Sequence, residues 1–219
     1  MNIAQIIKEV AKYKPHKNQL RYDNMMEKQY EFLTKVVKEL AYDNVLEIGC
    51  AYGTMSLWFK KNGYKIDTLD VTDEHHSKKM FDKEKIKFYK KNIETDEIKK
   101  KYKLIMFTEV LEHLNYNPLP VMKKMHDALE KKGAIILSTP AREIDPPQKQ
   151  GRWTHYVNWR QIPEYKKYKF VDGHHHHYYI WELVDLFNEA GLIIAGMWRT
   201  KIGWTFMLKR KKDYDRRSN

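Results

Sequence analysis

Apolar residues recur at helical spacing at the start of the chain, at Ile3, Ile6, Ile7 and Val10, until Pro15 breaks the pattern. Tyr30, Leu33, Val36, Val37 and Leu40 form a second amphipathic stripe. Short apolar runs then alternate with helical patterns. The runs NVLEIG, YKIDTLD, IKFYKKNI, YKLIMFTE and AIILSTP read as strands, the third following a charged helical or loop segment. TMSLWFKKNG predicts a helix closed by Gly63, LPVMKKMHDALEKKG a helix with Gly133 at its C-terminal end, and YYIWELVDLFNEAG a further helix ending in glycine. LIIAGMWRT and WTFMLKR read as two last strands, joined by a KIG connection short enough for a hairpin.

Strands that alternate with helices predict an α/β fold: a doubly wound, mostly parallel sheet with helices on both faces. The closing hairpin makes the last strand antiparallel to its neighbour. The expected organisation is a single domain over 1–219, with an N-terminal helical extension over 1–24. Between Pro140 and Tyr178 the alternation stops, so residues 141–178 read as an insertion or lid over the active face. It carries Pro146, Pro147 and the run His174 to His177.

Composition narrows the class. With 42% hydrophobic and 32% charged residues the chain is globular rather than disordered. A formal net charge of +12 favours anionic partners, whether phosphates, anionic metabolites or anionic membrane surfaces, or serves solubility. The basic tail KRKKDYDRRSN reads as a solvated end. A single cysteine, Cys50, excludes an internal disulfide and a metal site built on thiolates alone, and fits a reducing compartment. No apolar run is long enough to span a bilayer, and the first residues lack a signal-peptide core, so a cytoplasmic location is expected. Met25, Met26, Met122 and Met125 read as core filler.

The stretch VLEIGCAYG ends the first strand with glycines at 49 and 53. Ligands of open α/β sheets bind beyond the carboxyl ends of the strands. Glycines there let backbone approach a ligand, and the following helix offers free N–H groups to an anion. Asp70 closes the second strand, where an acid can accept both hydrogen bonds of a ribose diol. The pattern is Glu47-x-Gly49-x-Ala51-x-Gly53 and not the G-x-G-x-x-G of a pyrophosphate cradle, which argues against a nicotinamide dehydrogenase.

VLEIGCAYG, the LD that ends the second strand and FTEVLEHL after the fourth together resemble class I S-adenosylmethionine (SAM)-dependent methyltransferases of the small-molecule type. The resemblance implies a Rossmann-like, seven-stranded sheet with a reversed last strand. It implies SAM as cofactor, with Gly49, Cys50, Ala51 and Gly53 lining the methionine and ribose part. Glu47 would reach the methionine amino group, Asp70 the ribose, Asn92 and Ile93 the adenine. Thr108, with Glu109, would form the floor beside the sulfonium. Ala51 stands where the family's central glycine is expected.

Methyl transfer from a sulfonium asks mainly for positioning and water exclusion, and a hydroxyl or amine acceptor also needs its proton removed. In the EVLEH segment, a helix would put Glu109, Glu112 and His113 on one face, with His113 as general base; the alternative is that His113 only buttresses the loop. No metal is the expectation. A second resemblance, to small-RNA terminal 2′-O-methyltransferases with their E-x-x-E-H motif and later histidine, implies the alternative ligand set Glu109, Glu112, His113 and His175. In the insertion, Arg152, Trp153, His155, Tyr156, Trp159 and Arg160 read as a lid that could also touch substrate. The expected function is methyl transfer to a hydroxyl or amine of a small, anionic metabolite or sugar. The alternatives are an RNA 2′-O-methyltransferase with a divalent metal and a catalytically silent binding module.

Overall fold

Asn2 starts the chain's first helix by reciprocal bonding: its side chain accepts from the Gln5 backbone, and the Gln5 side chain accepts from Asn2 N–H. The computed structural model describes residues 1–13, 16–144, 158–165, 171–201 and 203–214. They fall into two compact units, residues 1–93 and 94–219.

In the first unit, α1 (Ile3–Lys12) buries all four residues of its predicted stripe. Helix α2 (Gln19–Leu40) is longer than its apolar stripe and crosses position 24, the expected limit of the extension. β1 (Asn44–Ile48), α3 (Thr54–Lys61), β2 (Lys65–Asp70), α4 (Lys78–Glu84) and β3 (Lys87–Lys90) follow in alternation. The charged segment before β3 is thus helical, with Ser77 accepting the Met80 N–H as its cap. β1 pairs in parallel with β2, and β2 with β3.

The second unit holds β4 (Tyr102–Thr108), α5 (Leu119–Ala128), β5 (Leu129–Pro140), α6 (Ile180–Glu189), β6 (Leu192–Arg199), β7 (Gly203–Arg210) and α7 (Lys211–Tyr214). β5 is parallel to β4, and β7 is antiparallel to both β5 and β6. The sheet is seven-stranded in the order β3-β2-β1-β4-β5-β7-β6, the Rossmann-like arrangement with a reversed last strand. Leu104 to Phe107 and Ala134 to Leu137 are buried throughout, as expected for strands covered on both faces.

Two expectations need correction. Helix α5 stops at Ala128 instead of reaching Gly133, because Leu129 is already extended (ψ 136°) and pairs with Tyr102. Gly133 serves a close backbone approach: a Cβ there would lie 2.9 Å from the Lys103 carbonyl oxygen. The basic tail begins with the end of β7 and the short α7, which buries no residue, and residues 215–219 lie outside the described residues. Asp213 accepts from the backbone of Lys132 and from the guanidinium of Arg210. Met26, Met122 and Met125 are core, but Met25 is 69% exposed.

Candidate active site

The turn after β1 is built on positive backbone angles: Gly49 (φ 77°), Ala51 (φ 43°) and Gly53 (φ 80°). Gly53 is required twice over, since a Cβ there would also meet the Phe81 ring at 2.5 Å. Ala51 accepts the strained left-handed conformation that its place in the motif demands. Its N–H donates to the Asp70 carboxylate at 3.1 Å, while Thr72 N–H donates to the other oxygen at 3.2 Å. Burial pushes Asp70 above the usual carboxylate range, and these two backbone bonds oppose the shift.

Glu47 is buried at the end of β1 and accepts from the Ser56 hydroxyl. Burial raises it to about 8, against the pull of Ser56. Cys50 is buried, and burial with the charges of Asp70 and Glu47 holds its thiol well above its usual value, so it lines the turn as a neutral group. Ile93 is buried and Asn92 half-buried at the end of this unit.

In the second unit the EVLEH segment is no α-helix. Leu111–His113 is a single 3₁₀ turn, and Glu109 precedes it in the left-handed region (φ 53°). The chain cannot place the three groups on one helical face, and β5 holds the two carboxylates instead. Glu109 accepts from the Ser138 hydroxyl at 2.7 Å, and Glu112 from Thr139 Oγ1 at 3.0 Å. Thr108, the last residue of β4, pairs with Ser138 in register. Glu112 is 0% exposed, and its Oε1 has no hydrogen-bond donor among the described residues. Burial, then the charge of Glu109, pushes Glu112 well above the usual range.

His113 is half-buried, with Nδ1 3.8 Å from Asp172 Oδ1 and its ring edge-on to His174 at 4.5 Å. Burial lowers its affinity for a proton, which leaves a neutral imidazole able to accept one. One donor atom each from Glu112, His113 and His174 lie within 4.8 Å of one another, a grouping with room for a divalent ion. The histidine drawn in is His174 rather than His175, whose Nε2 meets the Val171 carbonyl oxygen at 2.7 Å and whose N–H donates to the Glu112 carbonyl. Glu109 is outside this grouping.

Sequence reasoning missed Asp23, Thr54 and Ser56, which support the turn from behind, and Glu94, whose carboxylate accepts the N–H groups of Asn115 and Tyr116. Asp23 takes a buried position on α2, where spacing alone calls for an apolar residue. In the insertion, Trp159 is buried and donates to Asp185, and Arg160 stacks on its ring at 4.4 Å while pairing with the same Asp185. That pair ties the insertion to α6. Arg152, Trp153, His155 and Tyr156 lie outside the described residues.

A seven-stranded α/β sheet with a reversed last strand, a left-handed glycine turn after β1 and an acid closing β2 define a nucleoside-cofactor class of enzyme. The family model "Methyltransferase domain" matches residues 4–195, and the chain belongs to that family. Among solved structures it is similar to the PH0226 protein of Pyrococcus horikoshii OT3 (TM-score 0.66, 14% identity, 87% of this chain and 91% of that one). It is similar also to an S-adenosylmethionine-dependent methyltransferase of Clostridium acetobutylicum (TM-score 0.64, 13% identity, covering 82% and 89%). A third is an O-methyltransferase from a trans-AT PKS multienzyme of Brevibacillus brevis, in complex with S-adenosyl-L-homocysteine (TM-score 0.62, 13% identity, covering 91% and 80%). At these identities the likeness speaks for the fold. No curated protein matches the chain by sequence.

Proposed function

We propose that the protein transfers a methyl group from SAM to a hydroxyl or amine of a small, anionic metabolite or sugar. The observation that carries this reading is the bond between Ala51 N–H and the Asp70 carboxylate, which joins the two cofactor motifs into one preorganised turn. The residues fit SAM: the turn is open at two glycines, Asp70 offers a carboxylate for a ribose diol, and Glu47 offers a second carboxyl for an ammonium group. When bound, SAM supplies an electrophilic methyl group on sulfur. Gly49, Cys50, Ala51 and Gly53 bound the methionine and ribose part, Asn92 and Ile93 the adenine, and Thr108 the reacting end. His113 takes the acceptor's proton on its neutral imidazole, with Asp172 beside it to stabilise the imidazolium that forms. Glu109 and Glu112 hold the loop that carries His113 through Ser138 and Thr139. The net charge of +12 draws an anionic acceptor.

A second reading is favoured by one observation: the buried Glu112, with an oxygen lacking a donor among the described residues, stands with His113 and His174 in ligand-bearing range. A divalent ion there would be held by these three residues and would orient vicinal hydroxyls, as at the end of an RNA strand. The two readings separate in one experiment. The purified protein is incubated with methyl-tritiated SAM and cell extract, and label is partitioned by size and nuclease sensitivity. Label in small anionic molecules, with activity indifferent to chelator, supports the first. Label in nuclease-sensitive polymer, lost on chelation, supports the second. No transfer to any fraction, with SAM bound, would leave a binding module.

A further inference from the structure

Helix α2 carries a carboxylate where its buried stripe would be served by an apolar residue. Gln19, Asp23, Met26, Tyr30, Leu33 and Val37 follow at helical spacing and are all buried. Asp23 is 0% exposed. A carboxylate taken out of water is costly unless hydrogen bonds replace its hydration, and an apolar side chain of similar volume would often be the more stable choice. Asp23 has such bonds: Oδ2 accepts from Thr54 Oγ1 at 2.8 Å and from the Gln19 amide, and Oδ1 accepts from Tyr30 OH at 3.4 Å. Two of these partners lie on α2 itself. Thr54 lies on α3, directly after Gly53.

The same stretch meets the turn a second time. Tyr22 packs edge-on against Tyr52, with ring centroids 5.4 Å apart, and His16 stacks on the same ring at 5.8 Å. The segment before and at the start of α2 therefore touches the residue on each side of Gly53, Tyr52 by its ring and Thr54 by its hydroxyl. Gly53 is the point where neither a Cβ nor an ordinary backbone angle is tolerated.

We propose that Asp23 is a positioning residue of the cofactor turn: its bond to Thr54 fixes the start of α3 relative to Gly53, and makes residues 16–23 part of the apparatus that binds SAM. The proposal rests on the reading of the Gly49–Gly53 turn as the SAM site. Asp23 touches no reacting atom; it acts through Thr54. A purely architectural role would move the stability of the free protein but leave the affinity for SAM in place.

The test is calorimetry of SAM binding beside thermal unfolding of the free protein, for Thr54→Val, Thr54→Ser, Asp23→Asn, the double variant with Thr54→Val, and Asp70→Ala. Thr54→Val keeps the shape and removes the donor, and is expected to weaken SAM about tenfold. Thr54→Ser is expected to restore affinity, and adding Asp23→Asn to Thr54→Val to cost less than the two single losses combined. Should Asp23→Asn not fold, the Thr54 pair decides alone. Thr54→Val binding SAM as the parent does, while Asp70→Ala loses it, would overturn the positioning role and leave the cofactor site standing. If Asp70→Ala also binds as the parent does, the cofactor reading of the turn falls and takes the proposal with it.

Discussion

Ala51 and Asp70 are bonded to each other across the ends of two neighbouring strands, backbone N–H to carboxylate at 3.1 Å. The residue that departs from the family's glycine is thus the one whose amide locks the turn to the acid of β2. Its left-handed conformation (φ 43°) is held by that bond. That bond joins the glycine turn to the acid of β2 as one hydrogen-bonded unit.

Removing the acceptor tests that unit. Asp70→Ala deletes the carboxylate expected to hold the ribose and frees the Ala51 amide. Hydrogen bonds to charged groups contribute about 1.5–3 kcal/mol, so SAM affinity is expected to fall roughly tenfold to a hundredfold or more, measured by calorimetry. Affinity equal to the parent's would remove Asp70 from the cofactor site.

Ala51 and Gly53 should respond to substitution in opposite directions. Ala51→Gly relieves a left-handed alanine, and chemical denaturation is expected to show about 1 kcal/mol of added stability, reduced by glycine's freedom in the unfolded chain. Gly53→Ala meets both a positive φ and the Phe81 ring at 2.5 Å, and is expected to cost stability and SAM binding together. A stabilising Gly53→Ala would contradict this packing.

Glu47 is expected to make cofactor binding proton-linked. Its carboxyl is raised from 4.5 to about 8 by burial. The folded protein therefore holds a proton that the unfolded chain has lost over that window. The stability this group confers on the free protein is full below about pH 4.5, declines as pH rises, and is lost above about pH 8. An ammonium group seated against Glu47 needs the carboxylate, so SAM binding at pH 7 is expected to release a proton. Calorimetry in buffers of different ionisation enthalpy should give different observed enthalpies, and Glu47→Gln should abolish the difference.

His113 should separate chemistry from binding. As general base it is expected to contribute about a hundredfold or more to turnover. His113→Ala should lower turnover by that factor, leave SAM affinity unchanged, and remove the acidic limb of the rate–pH profile. A variant with the parent's profile would reduce His113 to a buttress of its loop.

The strand-helix alternation was legible in the chain because each element buries apolar residues at its own period. Ile3, Ile6, Ile7 and Val10 can only face a core as a helix, and Leu104 to Phe107 only as a covered strand. The glycine turn and Asp70 were legible for a related reason: their constraints are local, a backbone angle or an acid at a strand end. At Gly133 the local signal misled. Glycine after a helical pattern reads as a cap, but the close approach of the Lys103 carbonyl, thirty residues away in the chain, is what excludes a side chain there.

What only the tertiary structure decided are the long-range pairings of polar groups. Spacing alone suggested a helix for Glu109, Glu112 and His113; the segment is a 3₁₀ turn instead, with Ser138 and Thr139 on β5 holding the two carboxylates. The histidine run offers four similar side chains, and no periodicity tells that His174 joins Glu112 and His113 while His175 turns to Val171. Asp23 is polar on an apolar stripe, which one-dimensional pattern registers only as a flaw until Thr54 is beside it. Hydrophobic periodicity fixes which face of an element is buried, because burial depends on area and not on partner. A hydrogen bond is short and directional, so its partner is chosen only when the chain has brought distant residues within reach.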